Sequence, residues 1–211
     1  MPRLFTALPV PADIGLRLSL LSGGLLGARW ADPDDYHVTL NFIGTVDGRS
    51  ADEIASVMDQ MIIEPFEMRI DGLGCFGSKK PRAIYARIEP APAVMRLRAS
   101  LDHRFRMMGL SPDARQFFPH IRLARLRDVG PEAVARWLNE QGRLTSRSFE
   151  TTRFGLYSSR KAKGTARHRL EADYVMHAEQ DWACQHEPDM PKDSWEDAWN
   201  EDWHDNGAPA F

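Results

Sequence analysis

The chain has 211 residues, 43% hydrophobic and 27% charged, which is enough for one well-filled core or for two small lobes sharing one. No apolar run approaches the roughly 20 residues that cross a bilayer, and the first ten residues are too short and proline-broken for a signal peptide. The two cysteines, Cys75 and Cys184, form neither a CxxC pair nor a zinc-like cluster, so the expectation is a cytoplasmic protein without membrane contact.

Charge divides the chain in two. Residues 178–211 carry ten Asp/Glu and one Lys, a local charge of −9 within a net charge of −3. Residues 1–177 are left with 26 Lys/Arg against 20 Asp/Glu, or +6. A basic body suits a phosphate-bearing substrate, although such an excess is common among proteins of any function.

Residues 3–9 read as a strand and 11–21 as a short amphipathic helix opened by Pro11. Residues 36–43, Tyr-His-Val-Thr-Leu-Asn-Phe-Ile, alternate apolar and polar side chains up to Gly44 and form a half-buried strand. Ser50 is placed to cap a helix over 51–62, with Ile54, Val57, Met58 and Met61 as its stripe. Residues 65–76 and 82–88 are two strands around a polar turn. A long helix over 92–108 buries Val94, Leu97, Leu101 and Phe105, and ends at Gly109. A strand at 117–124 and a helix at 131–141, between Pro131 and Gly142, come next. Strands at 149–157 and 168–176 close the body. Strands and helices interleave, but several strands are consecutive, which predicts an α+β fold with mostly antiparallel sheets.

The chemistry is expected in His37-Val38-Thr39-Leu40 and His120-Ile121-Arg122-Leu123, two copies of His-apolar-x-Leu that begin 83 residues apart. Side chains alternate along a strand. His37 and Thr39 therefore share one face, as do His120 and Arg122, while Val38, Leu40, Ile121 and Leu123 face the core. Two such strands across a cleft present two imidazoles, a hydroxyl and a guanidinium to one anion. Opening a phosphodiester needs one imidazole to accept a proton and one to give it, and histidine does either near neutral pH. A lone histidine on a strand is usually packing or surface. The repeat is what raises the pair above that.

These residues also carry a resemblance. The chain resembles bacterial RNA 2′,3′-cyclic phosphodiesterases, the 2′-5′ RNA ligase-like branch of the two-histidine phosphoesterases, over about residues 2–176. The match runs through Arg3–Leu8, Gly27–Trp30, His37–Gly44, Gly72–Phe76, Phe118–Arg125 and Leu156–Arg160. It implies a bilobal α+β fold, two mostly antiparallel sheets flanking a central cleft with helices outside. It implies hydrolysis of cyclic-phosphate RNA ends to 2′-phosphomonoesters, with His37 as proton donor and His120 as acceptor. No metal and no cofactor are expected, and a monomer is. The resemblance further implies a phosphate contact for Arg125 and a base or ribose contact for Phe42. Simple alternation puts both on the wrong face, so either the strands bulge or end before them or the two residues are structural. The family pattern has threonine where Arg122 stands. Arg122 is either a stronger phosphate contact or the mark of a degraded half-site, which leaves an RNA-end binding protein as one alternative. A relative acting on another 2′-linked or cyclic nucleotide, or joining RNA ends, is the other.

The remaining histidines, His103, His168, His177, His186 and His204, have no partner pattern and read as surface or tail residues. Residues 178–211 read as a separate acidic tail after a body at 1–177. Trp195, Trp199 and Trp203 would form one stripe if the segment were helical. A solvated acidic tail is the alternative.

Overall fold

Five consecutive buried residues, Leu4 to Leu8, leave β1 (Arg3–Pro9) no solvent face and mark it as an interior strand. The computed structural model describes residues 3–89, 91–111, 116–161 and 166–177. The further strands among these are β2 (Ala28–Trp30), β3 (His37–Thr45), β4 (Phe66–Met68), β5 (Ile70–Phe76), β6 (Ala83–Ile88), β7 (His120–Leu126), β8 (Phe149–Thr151), β9 (Arg153–Lys161) and β10 (Ala166–Val175). The helices are α1 (Ala12–Ser19), α2 (Gly48–Asp59), α3 (Pro92–Met107) and α4 (Pro131–Gln141). No described helix is long and apolar enough to cross a membrane.

Eight strands form one antiparallel network in the order β10-β9-β1-β3-β7-β6-β5, with β2 added to β7. Its two halves, β10-β9-β1-β3 and β7-β6-β5, touch through a single backbone pairing, Val38 with Ile121. These are the two antiparallel lobes, and β3 and β7 meet where they join. β4 and β8 form a separate two-stranded sheet.

The core lies on the face carrying Val38, Leu40, Ile121 and Leu123, each at most 3% exposed. Helices cover that face. α3 buries Val94, Leu97, Leu101 and Phe105 and packs on β3, each large side chain contributing about 1.5–3 kcal/mol of burial. α2 packs on α3 and β10, and α4 on β5. The opposite face of β3 and β7 stays open.

Several element ends shift by a few residues, as in β7, which starts at His120 where 117 is expected, and three differences change an element's cap or continuity. α2 starts at Gly48, and Asp47 is its cap, its carboxylate accepting from the Ser50 amide at 2.8 Å; Ser50 is the donor and not the cap. The expected strand at 65–76 breaks at Arg69, and that at 149–157 breaks at Thr152, because Phe66–Met68 and Phe149–Thr151 leave the main sheet to pair with each other. The expectations for 178–211, the tryptophan stripe included, fall outside the described residues.

Candidate active site

β3 and β7 are built alike. The His37 Nδ1–H donates to the Asp35 carbonyl at 2.7 Å, and the His120 Nδ1–H donates to the Phe118 carbonyl at 2.8 Å. In each case the acceptor is two residues earlier, where the chain enters the strand. A carbonyl can only accept, so each Nδ1 carries hydrogen and each Nε2 is the nitrogen free for chemistry. Antiparallel counting from Val38–Ile121 sets Arg122 beside His37 and Thr39 beside His120 on the open face. The two histidines are then diagonal neighbours on adjacent strands, roughly 7–8 Å apart by ordinary sheet geometry.

A bulge follows each histidine. Thr6 pairs with Asn41 and Ala7 with Thr39, so Leu40 is the extra residue of β3. Ile84 pairs with Ala124 and Tyr85 with Arg122, so Leu123 is the extra residue of β7. Two successive residues turn inward at each bulge, Leu40-Asn41 and Leu123-Ala124, all buried. The phase therefore flips, and Phe42 and Arg125 return to the histidine face. Asn41, a polar side chain drawn into the core, donates its backbone N–H to the Thr6 hydroxyl at 3.2 Å and its side-chain amide to the Asp102 carboxylate at 3.5 Å.

Aromatic rings brace both imidazoles. His37 lies against Phe5 at 5.2 Å, Tyr157 at 6.0 Å and His168 at 5.0 Å between centroids. His120 lies against Phe76 at 4.8 Å, Tyr85 at 5.6 Å and Phe118 at 6.2 Å. A glycine sits under each brace. A Cβ on Gly74 would fall 2.5 Å from the Tyr85 ring, and one on Gly155 would fall 2.8 Å from the Tyr157 ring. Tyr157, Tyr85 and His168 were not legible as site residues; His168 in particular is a site neighbour and not the surface residue its sequence context predicts.

A cleft of about 500 Å³ opens beside β7, lined by Thr39, Phe42, Phe118, His120 and Arg122, with Arg82 and Arg98 and, among the described residues, no carboxylate. Arg98 is held by Asp102 at 3.0 Å. His37 borders a second hollow of about 410 Å³ with Asp34, Asp35, Tyr157 and His168. Arg125 is exposed, next to Arg122: burial first, and then the Arg125 charge, lower the Arg122 pKa, against Asp35. Burial, followed by repulsion from His168, pushes His37 down to about 4, with Arg122 and His120 acting in the same sense. Burial also lowers His120, with Arg122 adding to it and the Phe118 carbonyl opposing. The Arg122 guanidinium thus keeps protons off both imidazoles and does not favour one as the base. Among the described residues, no three His, Cys, Asp or Glu side chains gather as a metal site would require.

Residues 27–163 match the family described as the 2′-5′ RNA ligase superfamily. The chain belongs to this superfamily. Among relatives, it is 30% identical over 131 residues to the RNA 2′,3′-cyclic phosphodiesterase of Aeropyrum pernix, spanning 61% of this chain and 74% of that one. It is 24% identical over 165 residues to the RNA 2′,3′-cyclic phosphodiesterase of Bacillus subtilis, spanning 75% and 85%. A solved phosphoesterase shares the fold at a TM-score of 0.69, with 23% identity over 84% of this chain and 99% of that one. E. coli LigT complexed with 3′-AMP does so at 0.67, with 22% identity and the same coverage.

Proposed function

We propose that this protein opens the 2′,3′-cyclic phosphate at RNA ends to a 2′-phosphomonoester, with His37 and His120 as an acid–base pair. The observation that carries the reading is the pair of like-built strands. Each ties one histidine Nδ1–H to its own chain and leaves its Nε2 free, and the strand register puts both histidines on one face. The names of the superfamily relatives support the substrate.

In this reaction water attacks phosphorus and the bond from phosphorus to the 3′ oxygen breaks. His120 Nε2 takes the proton of the attacking water, and His37 Nε2 gives a proton to the departing 3′ oxygen. The two imidazoles exchange charge states, and water later restores them. Thr39, Arg122 and Arg125 donate to the phosphate oxygens, where negative charge grows, while Phe42 at the cleft mouth offers its face to the base. With both imidazole pKa values depressed, the free site holds both rings neutral at pH 7. An anionic phosphate between them favours a proton on one, so the charged acid forms as substrate arrives. The reading goes with a monomer in the cytoplasm.

The deciding experiment is turnover of an oligonucleotide ending in a 2′,3′-cyclic phosphate, with EDTA present and the product followed by phosphorus NMR. A 2′-phosphomonoester is expected. Tight binding without turnover would replace the reading with an RNA-end binding protein, and a 3′-phosphate or a joined product would replace it with a related reaction.

A further inference from the structure

His168 lies in β10, paired with Ser159 of β9 and separated from β3 by two strands, β9 and β1. Its ring nevertheless reaches His37, edge-on at 5.0 Å between centroids and 81° between planes, and meets Phe5 in the same way at 5.0 Å and 80°. Both of its ring nitrogens are shut off from solvent and have no hydrogen-bond partner among the described residues. Buried polar atoms without a partner are uncommon. A phenylalanine would fill this space and make the same edge contacts without orphaning two nitrogens. What histidine adds there is a group that can take up a proton.

We propose that His168 is a positioning residue for His37, holding its ring edge-on and coupling the proton on His37 to its own. The groups facing this pair decide the direction. Asp35, in the turn before β3, favours a proton on His168, whereas Arg122 and Arg125 of β7 oppose it. Arg122 and His120 of β7 also oppose a proton on His37. Tyr157 of β9 stays neutral here, its hydroxyl pushed up by burial and by Asp173, and Phe5 of β1 is uncharged. A charge on His168 is second only to burial in holding His37 down. A charged His168 therefore opposes a proton on His37, and an anion bound beside His37 offsets that repulsion. The catalytic meaning rests on His37 being half of an acid–base pair, but the coupling does not.

The test follows imidazole Cε1–H signals of the full chain by NMR from pH 3.5 to 8. The His37 signal is assigned by its loss in His37→Gln. Replacing His168 with phenylalanine keeps the ring and removes the charge. At 5 Å, two unit charges repel enough even at the dielectric of water to change proton affinity about four-fold. His168→Phe should therefore raise the His37 midpoint by at least about half a pH unit, and the acid limb of kcat should move with it. His168→Gln, which removes the charge by another route, should raise the midpoint in the same direction. An unchanged His37 midpoint in the folded variants overturns the proposal and leaves His168 as packing. If both variants lose their fold, the wild-type curves decide. Coupled rings give two-step curves for both His37 and His168, and independent one-step curves overturn the proposal. Because no turnover enters the NMR readout, its failure is separate from that of the phosphodiesterase reading.

Discussion

Arg122 stands where it can bear on both imidazoles, and its replacement tests whether it is a phosphate contact or a remnant. Loss of a transition-state donor costs roughly 2.7–4 kcal/mol in a closed site, less where water enters. Arg122→Ala should therefore lower kcat by up to about 10²–10³-fold, and Arg122→Thr by less, because a hydroxyl donor returns. A large gain in Arg122→Thr would identify a degraded half-site. His37→Ala and His120→Ala should each lose about 10²-fold or more while folded, read as kcat against an unchanged circular dichroism spectrum. Acid should also destabilise the fold. His37 has its ordinary pKa of about 6.5 when unfolded and about 4 when folded. Between those values the unfolded chain binds the extra proton, so stability is full above pH 6.5 and falls as the pH drops toward 4, by at most about 3 kcal/mol from this residue. His120 and His168 are shifted the same way. Urea midpoints at pH 7.5 and 4.5 should differ in the wild type and differ less in His37→Gln. An equal loss in both would remove His37 from the effect.

The elements around the site were legible in proportion to how local their causes are. α3 and α4 show in the sequence because their stripes and Pro and Gly boundaries lie within the segment itself. His37 and His120 show because their pattern repeats. The bulges at Leu40 and Leu123 do not, since Val38, Leu40 and Phe42 read as one alternating face, and only the pairing with β1 and β6 reveals the extra residue. β2 has three residues and is a strand only because Ala124–Leu126 pairs with it. His168 reaches the site only because β10 is laid beside β9, a long-range pairing with no mark in its own neighbourhood. Two local features can be checked directly. Asp47→Ala should cost about 1 kcal/mol as a lost helix cap, and Ser50→Ala less, since the donor there is a backbone amide. Gly74→Ala must displace Tyr85 from its contact with His120, so turnover should fall more than stability does. Unchanged kcat in a folded Gly74→Ala would show that the Tyr85 brace does not set the ring's position.

At the scale of the whole molecule, the site exists only because two lobes meet. Each lobe supplies one imidazole, its aromatic brace and its bulge, and a single backbone pairing joins them. Long-range charge acts on the same place. Among the described residues the cleft presents arginines and no carboxylate, in a body of +6, to which the chain itself attaches a segment of −9. We expect a polyanion tethered to a basic body to compete with RNA for the same cations, at an effective concentration set by the tether and not by the RNA. Ending the chain at His177 should therefore lower KM for an oligonucleotide carrying a cyclic phosphate and leave kcat nearly unchanged. The gain should be largest at low salt, where the Debye length is about 30 Å at 0.01 M, and shrink near 0.15 M, where it is about 8 Å. A mononucleotide substrate, with few phosphates to compete for, should gain less than the oligonucleotide. Equal KM values for the full and shortened chains at both salt concentrations would mean that the acidic segment does not reach the RNA-binding face, and would leave the body's own arginines as the sole electrostatic determinant of affinity.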